Sequence, residues 1–291
     1  MSRSRSAFLT LLAAFTLGAC DSATDGGDMA HLTLQLTDAP ADYLESAVVE
    51  IGRIELLPMV GGDRFVITEA AGTYDLLTLQ NGVTADLGSM SIPAGGYHEL
   101  RMFVESAELT LKDGYEFEAG GNTQTLHVPS GSASGIKVKL RTADGNEAEG
   151  VTIRPGETFL VVDFDVSQNF VIQGAAETAA GIKAYSFTPT LRAVVRDVAG
   201  SIAGSVTAPA GVTVEGLQVT ATRDGAAVDE VPVATALVAA DGTYLIPFIA
   251  PGVYDVTVVA PEGHVASVVE NLTVGESQDV VDVDVAITVA S

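Results

Sequence analysis

The strongest constraint on this chain is an alternation of period two in short runs cut by Gly, Pro and Asp. Leu32, Leu34 and Leu36 alternate with Thr33, Gln35 and Thr37 before the run stops at Asp38-Ala39-Pro40. That period belongs to a strand with one face on a core and the other in water. Further runs fall near residues 46–58, 63–69, 73–80, 97–111, 123–128, 135–142, 159–166 and 183–195. Only residues 41–47 suit a short helical turn, and no longer stretch sustains the 3.6 period of a helix. In the second run Val49 and Ile51 share one parity and Ile54 and Leu56 the other. Gly52 sits at the change, which marks either a β-bulge or a kink between two shorter strands. Many short strands joined by turn residues give an all-β chain, and within that class a sandwich is expected.

At 291 residues the chain exceeds what one core usually serves, so two sandwiches in tandem are expected. The boundary falls around Val198–Gly200, because beyond it the only basic residue is Arg223 and Val and Ala become denser. The units expected are residues 31–197 and 200–291. Hydrophobic residues at 47% against 18% charged describe a chain that folds. Net charge is −24, from 38 acidic and 14 basic residues, which sets nucleic acid aside as a partner. The same surplus suits solubility in salt, a bound cation or a cationic partner.

The N-terminus has the layout of a targeting segment. Arg3 and Arg5 precede an apolar stretch from Ala7 to Leu17, too short for the ~20 residues that span a bilayer, and small residues follow. Residues 1–19 are therefore expected to be a cleaved signal peptide, and residues 20–30, rich in Gly, Ser and Asp, a flexible tether. Cys20 is the single cysteine, so no intramolecular disulfide competes for it. Leu17-Gly18-Ala19-Cys20 resembles the lipobox of bacterial lipoproteins. The resemblance implies acylation of Cys20, anchorage in a lipid membrane and an extracytoplasmic place in the bacterial cell envelope. Asp21 resembles the inner-membrane retention signal of enteric bacteria, and the choice between inner and outer membrane stays open.

Motifs along the first unit are similar to a known family. Leu36-Thr37-Asp38-Ala39-Pro40, Asp75-Leu76-Leu77-Thr78-Leu79, Ile92-Pro93-Ala94-Gly95-Gly96-Tyr97, Val128-Pro129-Ser130-Gly131, Gly135-Ile136-Lys137 and Asp163-Phe164-Asp165 follow the order seen in domain of unknown function 4382. That resemblance runs from about 31 to 197 and implies a lipoprotein setting without a named activity. The second unit resembles the carboxypeptidase regulatory-like domain, a transthyretin-like sandwich. Its opening strand matches Gly200-x-Ile202-x-Gly204-x-Val206, and its hairpin and central strand match Ala240-Asp241-Gly242-Thr243-Tyr244 and Ala250-Pro251-Gly252-Val253-Tyr254-Asp255-Val256. That resemblance implies a carbohydrate-binding-like fold, but fold alone does not establish function.

Catalytic patterns are not found. His98-Glu99-Leu100-Arg101 is followed by Met102 where a zincin helix needs a second His, so His98 reads as a strand surface residue. Gly131-Ser132-Ala133-Ser134-Gly135 has Ala at the centre, where a nucleophile elbow needs Ser. His31, His127 and His264 are scattered, and no motif calls for a cofactor. The one constellation that invites chemistry is Val161-Val162-Asp163-Phe164-Asp165-Val166. As a strand it would set Asp163 and Asp165 on one face, roughly 7 Å apart. Ile136-Lys137-Val138-Lys139-Leu140 offers the reciprocal face, with Lys137 and Lys139 opposite the apolar residues. A charge ladder between the lysines and the aspartates is expected, with a Ca²⁺ site on the aspartates as the alternative. The function that fits is a non-enzymatic envelope lipoprotein whose sandwiches bind protein or polysaccharide. The alternative is a carbohydrate-binding accessory module of a degradative system.

Overall fold

The computed structural model describes residues 28–39, 43–126, 128, 134–140, 150–174, 181–226 and 231–290. Cys20, the signal segment and most of the tether lie outside the described residues, as do His127 and most of the 131–135 glycine loop.

The chain is all-β, as the alternation requires. The first unit holds β1 (Met29–Thr37), β2 (Leu44–Pro58), β3 (Phe65–Thr68), β4 (Gly72–Asp75), β5 (Ala85–Pro93), β6 (Gly95–Leu111) and β7 (Thr123–Leu126). It continues with β8 (Ile136–Lys139), β9 (Val151–Ile153), β10 (Gly156–Asp163), α1 (Val166–Asn169), β11 (Phe170–Gly174), β12 (Ile182–Phe187) and β13 (Arg192–Val195). One sheet runs β13-β10-β1-β5, with β1 and β10 parallel. A second is built on the long pair β2 and β6, flanked by β3 and β4 on one side and β7, β8 and β9 on the other. Their inner faces enclose one core: Leu32, Leu34 and Leu36 from the first sheet meet Ile54, Leu56, Leu100, Met102 and Val104 from the second. Each such side chain contributes about 1.5–3 kcal/mol on burial.

The second unit holds β14 (Gly200–Thr207), β15 (Gln218–Arg223), β16 (Ala234–Leu237), β17 (Thr243–Ile249) and β18 (Gly252–Val258). It closes with β19 (His264–Ala266), β20 (Val269–Val274), β21 (Asp279–Val280) and β22 (Val285–Val289). The sheets run β17-β14-β22-β19 and β16-β15-β18-β20 around a separate core that includes Ile202, Ile246, Tyr254, Val256 and Val258. Two glycines of the opening and hairpin motifs have a steric reason. A Cβ on Gly204 would collide with the carbonyl of Val283, and Gly242 has φ +84°, a left-handed conformation that the tight turn after Asp241 requires.

The structure refines several expectations. The parity change in β2 is a bulge: the β2–β6 register shifts between Glu50 and Ile51 and again between Ile51 and Ile54. Residues 73–80 form β4 and then a 3-10 turn over Leu76–Leu79, capped by the Asp75 carboxylate on the Leu77 N–H. The 183–195 run breaks into β12 and β13 around Pro189, which lacks the N–H a continuous ladder would need. From Leu44 onward the proposed helical turn is strand β2 instead. Strands β5, β9 and β11 have no counterpart among the sequence runs. On β1 the polar face is wet only at its start: Gln35 and Thr37 are buried, Gln35 between Asp86 and Arg196, and Thr37 on the carbonyls of Leu79 and Val83. Period two locates the core face of a strand but does not say what later chain covers the other face.

Candidate functional site

The most polar buried cluster lies where the two units meet, and β1 and β10 build it. Because they run parallel, their C-terminal ends are adjacent, with Thr37 opposite Asp163. Asp38 and the Asp163-Phe164-Asp165 segment therefore leave the sheet side by side. The Phe164 N–H donates to the Thr37 carbonyl at 3.0 Å, and the Val166 N–H donates to Asp38 Oδ1 at 2.8 Å. Two motifs separated by more than a hundred residues thus form one structural unit.

The expected alternation through Asp165 fails here, because β10 ends at Asp163. Asp165 takes a left-handed conformation, φ 41°, that Asp tolerates better than most residues. From there its carboxylate caps α1, accepting from the Gln168 N–H at 3.3 Å, the Ser167 hydroxyl at 2.6 Å and the Gln168 side-chain amide. Asp163 turns to Arg192 on the neighbouring strand β13, directly opposite in register. Arg192 Nε and Nη2 lie 2.7 Å and 2.5 Å from Asp163 Oδ2, and Asp163 Oδ1 accepts from the Asp165 N–H at 3.1 Å. Asn169, fully buried, fastens the turn from beneath: its amide donates to the carbonyls of Phe164, Asp165 and Thr190, and its Oδ1 accepts from the Thr190 N–H.

The ladder from Lys137 and Lys139 to Asp163 and Asp165 is not formed. Strand β8 pairs with β6 in the other sheet, where Lys137 stands opposite Arg101 and Lys139 opposite Glu99, whereas β10 pairs with β1 and β13. Equal phase in two runs cannot reveal that they belong to different sheets. The cation for Asp163 is Arg192, which no sequence pattern singled out; the available signal was an arginine opening the apolar run Ala193-Val194-Val195. Lys137 is exposed, and the Lys139 side chain is outside what is described. Among the described residues no group of three or more His, Cys, Asp or Glu is placed to hold a metal ion. His98 lies on β6 with Nδ1 3.0 Å from the Pro58 carbonyl.

The cluster reaches across to the second unit. The Thr235 hydroxyl donates to Asp165 Oδ2 at 3.2 Å, and the Gln218 amide donates to Ser167 Oγ at 2.9 Å. Arg192 Nη1 donates to the Phe248 carbonyl at 2.8 Å. That carbonyl is aimed by a bulge in β17, where Gly200 pairs with Ile249 but Ile202 pairs with Ile246, leaving Pro247 and Phe248 against Ser201 alone. Phe248 carries φ +50°, an unfavourable value for an aromatic residue that the surrounding contacts hold in place.

Of the three buried acids Asp38, Asp163 and Asp165, Asp163 is paired with Arg192, and the same charge acts on Asp165. Burial pushes the Asp38 carboxyl well above the usual carboxylate range, the charges of Asp163 and Asp165 add to the effect, and the Val166 N–H opposes it. Its Oδ2 is buried with no hydrogen-bond partner, which suits a neutral carboxyl better than an ionised one. Burial, then the charge of Asp163, pushes Asp165 up to about 6, against the Ser167 hydroxyl, Arg192 and the Thr235 hydroxyl. Apart from Asp38 Oδ2, the side-chain oxygens of the three acids are taken up by donors within the cluster and from the second unit.

Family comparison matches residues 29–189 to the domain of unknown function DUF4382 and residues 201–288 to the carboxypeptidase regulatory-like domain. Both motifs that meet at Asp38 and Asp163–Asp165 lie inside the first match. No curated protein matches the chain. Similar solved structures include a cohesin–X-dockerin complex from Acetivibrio cellulolyticus, 14% identical, covering 31% of this chain and 58% of that one at TM-score 0.23. A shaft pilin from Lactobacillus rhamnosus GG is 10% identical, covering 91% of this chain and 98% of that one at TM-score 0.24. The minor pilin of Streptococcus agalactiae is 10% identical, covering 89% and 97% at TM-score 0.24. The chain spans little more than half of the first of these, and none of the three bears on function.

Proposed function

From the premise that this chain belongs to the DUF4382 family, whose model matches residues 29–189, we propose that it is a non-enzymatic binding protein of the bacterial cell envelope. In this reading Cys20 is acylated and holds the chain on the outer side of a membrane, and the two β units present their surfaces to an envelope protein or polysaccharide. One observation carries the reading: a buried polar cluster built within the family-matched region joins one unit to the other. Asp165, Ser167 and Arg192 are engaged within the joint, which supports a rigid two-unit display with recognition left to its surfaces.

The test is retention of the full chain on separated protein and polysaccharide fractions of the envelope, run beside turnover assays with generic ester, peptide and glycoside substrates. Saturable retention on one fraction without turnover is expected. Turnover of any substrate, or no retention on either fraction, would overturn the reading. Palmitate labelling tests the anchor: Cys20→Ser is expected to abolish it, and labelling that persists would exclude Cys20 as the acylated residue.

A further inference from the structure

A chain with 38 acidic and 14 basic residues repels anions at long range. Three of those basic residues nevertheless line one cleft of about 470 Å³ between the two units: Lys137 from β8, Arg192 from β13 and Arg223 from β15. Arg223 is the sole basic residue of the second unit, and the fold brings it to the joint. Arg192 is engaged by Asp163 and the Phe248 carbonyl. Lys137 and Arg223 differ, for neither is ion-paired with a carboxylate among the described residues. The Arg223 guanidinium sits 5.8 Å over the Tyr254 ring, a contact that steadies the side chain without neutralising it.

The remaining lining sets the kind of anion. Among the described lining residues Asp165 is the acidic one, buried with its oxygens occupied by donors from both units. Gln168 and Thr190 bring neutral polar groups, and proline rings form part of the walls. Surface charge beyond about 8–10 Å is screened at physiological salt, so these local cations decide what enters. A guanidinium and an ammonium together suit a carboxylate, which the planar fork of Arg grips in two places. The volume is that of a small-molecule site, in the range of about 300–1,000 Å³, and holds one or two sugar rings but not a folded partner.

We propose that this interdomain cleft binds the carboxylate of an acidic sugar, a uronic acid residue of an anionic polysaccharide, with Lys137 and Arg223 as the charge-reading residues. The proposal rests on the binding reading above and names its ligand class.

Calorimetric titration of the full chain with a galacturonic acid trisaccharide, a neutral trisaccharide of equal length and an acidic tripeptide tests it. Binding of the acidic sugar at least tenfold tighter than either other ligand is expected. Lys137→Gln and Arg223→Gln should each weaken it about tenfold, and Lys112→Gln, at an exposed residue that lines a different cavity, should leave it unchanged. Lys137 is exposed on its strand, so its variant keeps the test valid even where Arg223→Gln disturbs packing. Equal affinity for the neutral sugar, an equal or better response to the peptide, no binding at all, or indifference to Lys137→Gln would each overturn the assignment. Retention on envelope fractions by the Lys137→Gln/Arg223→Gln double variant separates the two levels. Retention unchanged would discard this cleft and keep the binding reading, whereas wild-type protein that is never retained would discard both.

Discussion

Among the described residues two places bury carboxylates, and they balance charge in opposite ways. On the β2–β6 sheet Glu55 and Glu99 are 2% and 4% exposed, and each has its own guanidinium. Arg53 and Arg64 lie 3.0 Å and 2.8 Å from Glu55, and Arg101 lies 2.7 Å from Glu99. At the joint, Asp38, Asp163 and Asp165 are as deeply buried, but one guanidinium, Arg192, pairs with Asp163 and acts on Asp165 only through its charge. The sheet acids are matched by cations that keep contact with water, so the cost of burial is small. Asp38 and Asp165 are under-compensated, and proton uptake relieves them. Burial alone therefore does not say what a carboxylate does; the ratio of acids to cations does.

The largest effect is expected from removing that guanidinium. Arg192→Leu leaves Asp163 buried and unpaired and frees the Phe248 carbonyl, and a denaturant melt should show a loss of about 3–5 kcal/mol. A loss below about 1 kcal/mol would mean that water reaches Asp163, and the contrast between the two places would vanish.

Next comes pH. The folded-state pKa of Asp165 is raised to about 6 from a reference of 3.8, and that of Asp38 is raised as well, both chiefly by burial. A raised folded pKa means that the native state holds protons that the unfolded chain has released. The resulting stabilisation is full below the unfolded value and is lost as pH rises through the folded one. The melting temperature should therefore rise as pH falls from 7.5 to 5, and Asp165→Asn should flatten that slope. Asp241 and Asp284 are shifted the other way by bonds to Thr243 and Ser205, but both are fully exposed and solvent screening leaves them little weight. A wild-type melting temperature that drops over this window would contradict the account.

How much of this could be read from the chain depends on what period two encodes. It located the core residues Leu32, Leu34 and Leu36, and the parity change at Gly52 marked the bulge in β2. Strand β5 escaped because it carries its own irregularity. Leu87 and Ile92, its buried residues, have opposite parity, Gly88 has φ +144°, and the register to β1 shifts beside it. The joint was half legible. The Thr37-Asp38 and Asp163-Phe164-Asp165 motifs stood out as family features, but their meeting depends on the parallel pairing of β1 and β10, which no local pattern carries. Lys137 was assigned to Asp163 for the same reason: alternation orders residues within a strand and is silent on which strands are neighbours.

Smaller effects sharpen the comparison further. Asp38→Asn keeps an acceptor for the Val166 N–H and replaces a carboxyl that burial already favours as neutral, so it should cost no more than about 1 kcal/mol. A loss of several kcal/mol would show that Asp38 is held as an anion. Arg64→Ala, at a guanidinium 52% exposed with Arg53 still beside Glu55, should change stability by about 0–1 kcal/mol in the same melts. A loss as large as that of Arg192→Leu would erase the distinction between the two places.

The central claim is that the family-motif aspartates join the two units, and the Thr235 hydroxyl on Asp165 Oδ2 is the bond that expresses it. A double-mutant cycle with Asp165→Asn and Thr235→Val, followed by denaturant melts of the full chain at pH 7.5, measures that bond directly. A coupling energy of about 1 kcal/mol or more is expected. Effects that simply add, with coupling near zero, would show that the aspartates serve the first unit alone and would contradict the account.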